Sequence, residues 1–405
     1  THLNNGDSIV GGSATTDVVR AQINGLTSTT GALKISGVET IELDAVTNAS
    51  TIDASGITGA KTIKLDGSVN VTINKLAAGT GIALSNTPNG GSATQYTGTL
   101  TVGLANATGS SDALDVTLTG TGTANSTLVG TGIENLNLKG ADDAWTAGTL
   151  DVSGFAATTI TLTGKDTTSP ASVDLRGAGS AALNAATNTV DATGFDGAIL
   201  AIAATNTATT VKTKVGGNTI TGSVLGDTVI VGSSSAFLTG SAGTIDTGAG
   251  SDTVTAYVGA SGSVAGVSNA ETLNLVADVG NITVTVGSST SSVGMNGSAT
   301  TNITGGKAGD VVTLSTNLLD IGARTIDASG LAGSISGTFA AGALVQSNLS
   351  DAVVIKGGQG SKDVIRATFD TASAATTTGA ITVSGVETLS IGALAASGSN
   401  AATVD

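Results

Sequence analysis

Asp252 has the strongest claim to chemistry in this sequence. It closes the run Asp246-Thr-Gly-Ala-Gly-Ser-Asp252, with Gly248 and Gly250 before it and the alternating Thr253, Val254 and Thr255 after it. A carboxylate at the end of a glycine-rich turn suits a hard cation. Calcium takes six to eight oxygen ligands, which such a turn supplies as a carboxylate and exposed backbone carbonyls, and glycine accepts the positive φ angles the turn needs. Looser versions recur at Asp17, at Asp112, at Asp227 with Gly222 and Gly226, at Asp310 with Gly305 and Gly306, and at Asp363 with Gly357, Gly358 and Gly360. The candidate calcium ligands are therefore Asp17, Asp112, Asp227, Asp246, Gly248, Gly250, Asp252, Gly306, Asp310, Gly357, Gly358, Gly360 and Asp363.

These turns approximate the G-G-x-G-x-D-x-U-x pattern of calcium-binding parallel β-helices. Other acids recur beside them. Glu39, Glu134, Glu271 and Glu387 sit in apolar marker segments such as GVETIEL, and the structural reading, in which each caps a coil or bonds stacked backbone amides, is preferred over metal ligation. Asp53, Asp151, Asp191 and Asp327 are each followed by a small residue, Ser or Thr, and Gly, the arrangement for side-chain-to-backbone turn bonds. Trp145, beside Asp142 and Asp143, reads as a local plug, and His2 is assigned no role. One histidine, no cysteine and no recurrent Arg, Lys and Tyr cluster leave catalysis with the least support. Paired acids such as Asp142 and Asp143 would need a sugar cleft, for which few aromatic platforms exist.

The elements that position these residues follow from composition and pattern. Aromatic residues are 2% of the 405, glycine numbers 59, and 40% of the chain is hydrophobic, so a folded core must be narrow and built from small aliphatic side chains. Runs of four to six residues alternate Thr or Ser with Val, Ile or Leu between glycine-rich turns, which is the strand template. The order of turn, marker and third motif repeats: 22 residues separate Asp17 from Glu39 and again Asp112 from Glu134. Asp191 lies 40 residues beyond Asp151, read as two coils of about 20 residues each. An antiparallel sandwich is the competing all-β fold. Repetition favours a calcium-stabilised parallel β-helix, in which stacked coils bury an apolar stripe that no coil buries alone. Residues 1–215 read as degenerate repeats and 216–405 as a part with clearer calcium turns, the whole making a rod on the order of 100 Å. Residues 85–96 read as a loop out of one coil, and 165–170 as a bend or the mark of a second subdomain.

The net charge of −15 argues against nucleic acid and anionic membrane surfaces and for cations as partners. No stretch reaches the roughly 18 consecutive apolar residues of a membrane-spanning helix. The absence of cysteine fits an exported protein.

The acidic turns, the GVET and TIDASG segments, and above all LANATGSSDALDVTL together resemble the solenoid region of bacterial surface-layer proteins exported by type I secretion. The resemblance covers most of the chain, although Ser13, Ala308, and Ser361 with Lys362 interrupt the strict turn pattern. It implies a calcium-bound, RTX-related β-solenoid that packs against its own copies into a lattice on the cell surface, with Asp17, Asp112, Asp227, Asp252, Asp310 and Asp363 as ligands. It also implies contact with a cell-surface polysaccharide through a domain outside these 405 residues. The alternative is a calcium-dependent adhesin or biofilm-matrix protein. The last motif stops at Asp405 before completing its pattern, and the expectation is a longer chain with an anchoring domain before it and an export signal after it.

Overall fold

The computed structural model describes residues 2–84, 96–118, 125–140, 148–164, 172–176, 180–259, 262–264, 266–270, 272–278, 282–286, 299–305, 307–314, 323–339, 353–370 and 381–394. The alternating segments form strands, and one short 3-10 turn, Ala54–Gly56, is the helical exception among the described residues. Equivalent strands of successive coils pair in parallel, so that the described residues form a β-solenoid of about 12 turns. Calcium-binding repeats such as those the sequence suggests are one sequence route to this architecture.

The first of two compact units spans Thr1–Val211. One sheet carries, in order, Val18–Ile23, Thr40–Ala45, Thr62–Gly67, Gly81–Leu84, Ala113–Leu118, Asn135–Gly140, Thr159–Gly164 and Thr189–Phe195. A second stacks Ser50–Asp53, Val71–Leu76, Thr99–Leu104, Asn125–Gly130, Gly148–Asp151, Ser172–Asp174 and Ala198–Ile202. A short third sheet holds Ser8–Val10, Lys34–Ser36 and Ile57–Thr58. The second unit, Lys212–Asp405, repeats the plan. It stacks Thr253–Val258, Thr272–Ala277, Ala299–Gly305 and Ala323–Leu331 on one sheet, and Val311–Leu314, Ser334–Phe339, Val364–Asp370 and Thr388–Leu394 on another.

The core follows from the two-residue period of a strand, which sends alternate side chains inward. Ile41, Ile63 and Ile82 stand one above another in register, as do Leu43, Leu65 and Leu84. All six are at most 1% exposed. Burying such a side chain contributes about 1.5–3 kcal/mol, so the like-on-like columns stabilise the stack as well as setting its register. Two aromatic residues, Phe155 and Tyr96, are also fully buried, and the Tyr96 hydroxyl lies 3.0 Å from the Val69 carbonyl and 3.1 Å from that of Thr99.

Two sequence expectations are corrected. Thr253 pairs with Thr272, a coil of 19 residues, but Thr159 pairs with Thr189, a coil of 30. Pairing fixes the strands alone, and the connections between them accept extra residues at small entropic cost. Asp151 and Asp191 are also not two coils apart on one face, because Asp151 ends a strand of the second sheet whereas Asp191 lies in a strand of the first. The motif they share is a local turn bond, which can follow a strand on either face.

Candidate metal centre in the acidic turns

The turn ending at Asp17 shows how the motif is built. A Cβ on Gly11 would fall 1.8 Å from the Gly37 carbonyl oxygen, so adjacent coils approach here as closely as only glycine permits. The Gly11 N–H donates to the Ser36 carbonyl at 2.7 Å. Asp17 then folds back on its own turn, its Oδ2 accepting the Gly12 N–H at 2.6 Å. Its backbone N–H donates to Glu39 Oε2, one coil on, at 2.9 Å. In return the Glu39 and Thr40 amides donate to the Asp17 carbonyl, each at 3.1 Å.

The same parts recur in the second unit. Gly357 donates to the Ser384 carbonyl at 2.8 Å, Gly358 N–H to Asp363 Oδ1 at 3.0 Å, and Asp363 N–H to Glu387 Oε2 at 2.7 Å. Ser-Gly-Val-Glu-Thr at 36–40 and at 384–388 is thus one docking module used twice. Asp112 follows suit, accepting from Gly109 N–H at 3.0 Å and donating to Glu134 Oε2 at 2.9 Å. At Asp227 the acceptor on the next coil is an aspartate: the Asp227 N–H donates to Asp252 Oδ1 at 2.7 Å, while Asp227 Oδ2 accepts from Ser223 N–H at 2.6 Å. Asp310 Oδ2 accepts from Lys307 N–H at 2.8 Å.

Of the candidate ligands, the fold therefore joins Asp227 to Asp252 and groups Gly357, Gly358, Gly360 and Asp363 in one turn. Asp17, Asp112 and Asp310 lie in separate coils. Asp246 Oδ1 accepts from Gly248 N–H at 3.1 Å and from Asn269 Nδ2 at 2.6 Å. A Cβ on Gly248, Gly250, Gly358 or Gly360 would lie within 2.6 Å of an atom of a neighbouring coil, so close stacking requires these glycines, and Gly248 and Gly250 also take the positive φ expected of the turn, +88° and +144°. Gly306 and Glu271, with Asp142, Asp143, Trp145 and Asp405, lie outside the described residues. Glu39, Glu134 and Glu387 each accept a stacked backbone amide on Oε2, as the structural reading expects, which leaves Oε1 for other partners. Asp53, Asp151, Asp191 and Asp327 accept the amide two residues on, at 3.0, 2.9, 3.0 and 3.0 Å.

Whether these turns suit calcium depends on what points at each carboxylate. At Asp17 and Asp112 one backbone amide of the turn, that of Gly12 or Gly109, already donates to Oδ2. That amide competes with a cation for the carboxylate oxygen. Among the described residues no three acidic or histidine side chains gather into a metal-holding group. Asp363 differs. Its side chain is fully buried, Oδ1 accepts the amides of Ile335 at 2.6 Å and Gly358 at 3.0 Å, and Oδ2 is buried without a hydrogen-bond partner. Burial, and after it the negative charge of adjacent Glu387, pushes its carboxyl above the usual range. A buried oxygen without a donor beside a second carboxylate fits a cation.

Sequence reading missed the side-chain ladders that run from coil to coil. Glu42 lies between Arg20 and Lys64, with Lys64 Nζ 3.7 Å away. Gln22 donates to Asp44 at 3.0 Å, and Asn302 to Asn274 at 3.0 Å. Two ion pairs hold third-motif aspartates: Lys75 to Asp53 at 2.9 Å and Lys356 to Asp327 at 2.7 Å. The Ser55 hydroxyl and then Lys75 hold the Asp53 carboxyl well below its usual range, while Lys356 and then Ser329 bring Asp327 down to about 2. The available signal was a polar residue at the same place in consecutive strands.

No protein-family model, curated protein or solved structure matches this chain.

Proposed function

We propose that this chain is the solenoid of a secreted structural protein that assembles with calcium into a two-dimensional lattice over a bacterial cell, and that it is not an enzyme. The observation that carries this reading is the repeated docking module, in which a glycine-aspartate turn on one coil receives a Ser-Gly-Val-Glu-Thr segment from the next. Its residues serve to stack the chain on itself, as a building element requires. The excess of 15 negative charges supports a cation as the partner of assembly, since like charges along a thin stack repel and bound divalent ions remove the repulsion. Asp363 and Glu387 would hold calcium, with carbonyls of Gly357, Gly358 and Gly360 completing the oxygen set. Calcium supplies charge neutralisation and a bridge between two coils, so its binding free energy becomes folding free energy.

The test is calorimetry and light scattering on the same sample. Calcium is expected to bind and to raise scattering, and a chelator to reverse both. Asp363→Asn should lose one bound ion, while Asp53→Ala, which removes a turn bond, should leave the count unchanged. No calcium heat in the wild-type chain, or equal counts in wild type and Asp363→Asn, would overturn the calcium assignment.

A further inference from the structure

We infer that the turns at Asp17 and Asp112 clamp successive coils together without a metal ion, the marker glutamate of the next coil doing the work that calcium does in a metal-bound turn. A bridging ion in a solenoid turn has two tasks: it neutralises the carboxylate, and it ties one coil to the next. Both tasks are already done here by hydrogen bonds. The Gly12 and Gly109 amides meet the Asp17 and Asp112 carboxylates at 2.6 and 3.0 Å. The Asp17 and Asp112 amides reach across to Glu39 and Glu134, both at 2.9 Å, over a sequence separation of 22 residues in each case. The return bonds close the ring, with Thr40 N–H on the Asp17 carbonyl at 3.1 Å and Asn135 N–H on the Asp112 carbonyl at 3.0 Å.

Each clamp thus pairs a carboxylate with a backbone donor on both sides of the coil boundary. Bonds to an ionised acceptor are roughly twice as strong as neutral ones. Asp363 shows the contrast within the same module. It has the same amide bond to Glu387, at 2.7 Å, yet keeps one buried oxygen with no donor. The shared geometry therefore has a half-buried form at Asp17 and Asp112, where one amide meets Oδ2 of the carboxylate, and a fully buried form at Asp363, whose Oδ2 lacks a donor and is the place for a cation. The consequence is a chain whose first unit keeps its coil-to-coil bonds when calcium is scarce.

Hydrogen exchange resolved to single amides, on the full chain in calcium and in chelator, tests this. The Asp17 and Asp112 amides are expected to exchange equally slowly in both. Glu134→Ala should speed exchange of the Asp112 amide about ten- to a hundredfold, as expected for losing a bond to a charged acceptor, in calcium and chelator alike. Glu134→Gln, which keeps an acceptor oxygen, should restore protection. If Glu134→Ala does not fold, Glu134→Gln gives the answer alone: a protected Asp112 amide supports the clamp, and a fast one in a folded chain overturns it. Loss of protection at Asp17 or Asp112 in chelator, or unchanged exchange in a folded Glu134→Ala, would also overturn it. The inference is separable from the calcium reading of Asp363, because slow exchange at every clamp in chelator would defeat that reading and leave this one standing.

Discussion

Glu39 accepts a backbone amide from a different coil, so its carboxylate has a stability role that can be measured. Glu39→Ala leaves the half-buried Asp17 N–H without its acceptor, and losing a hydrogen bond to a charged group costs about 1.5–3 kcal/mol, less where water can replace it. Glu39→Gln, keeping a neutral acceptor, should cost under about 1 kcal/mol by the same reasoning, and denaturant melts of the two variants give the comparison. Asp327 provides a pH signature. Its pKa of about 2 lies below the unfolded value of about 3.9, so the stability it contributes is fully present above the unfolded value and is lost as pH falls from about 4 through about 2. Lys356→Ala should raise the Asp327 pKa toward the unfolded value, and carbon-detected NMR titration reads it directly. The bonds of Asp53, Asp151, Asp191 and Asp327 were legible in the sequence because donor and acceptor are two residues apart. The bond from Asn269 to Asp246 spans 23 residues, and no fixed period in the sequence points to it.

At the scale of the coil, close backbone approach is the feature most sensitive to substitution. Gly11→Ala would place a methyl group 1.8 Å from the Gly37 carbonyl, forcing the coils apart. A cost of about 1–3 kcal/mol or more is expected from such overpacking. Gly240 has open space around it, so Gly240→Ala should change stability by no more than about 0.5 kcal/mol. Equal melting temperatures for the two variants would mean that the coils do not meet at Gly11. The strand class was legible because alternation of Thr with Val, Ile or Leu is a short-range pattern that one buried face imposes. Parallel stacking was legible from the recurrence of like segments. The coil length was not, since the connections between strands carry no register and vary without changing it. The glycines of the turns also had two readings, exposed carbonyls for an ion or close contact between coils, and composition fits either.

Across the whole chain, 30 acidic residues against 15 basic ones would set the terms of the proposed assembly. Repulsion between copies falls as cations bind, and screening by monovalent salt weakens it as well, with a Debye length of about 10 Å at 0.1 M. Monovalent salt alone should therefore aid association without ordering it, whereas a divalent ion held at a defined site does both. The measurement that tests the account most directly is electron microscopy of the purified chain, with calcium and with a chelator. The account predicts ordered two-dimensional arrays in calcium and dispersed particles in the chelator. Dispersed single particles in both conditions, in protein whose circular dichroism shows the strand signal of the folded solenoid, would contradict it.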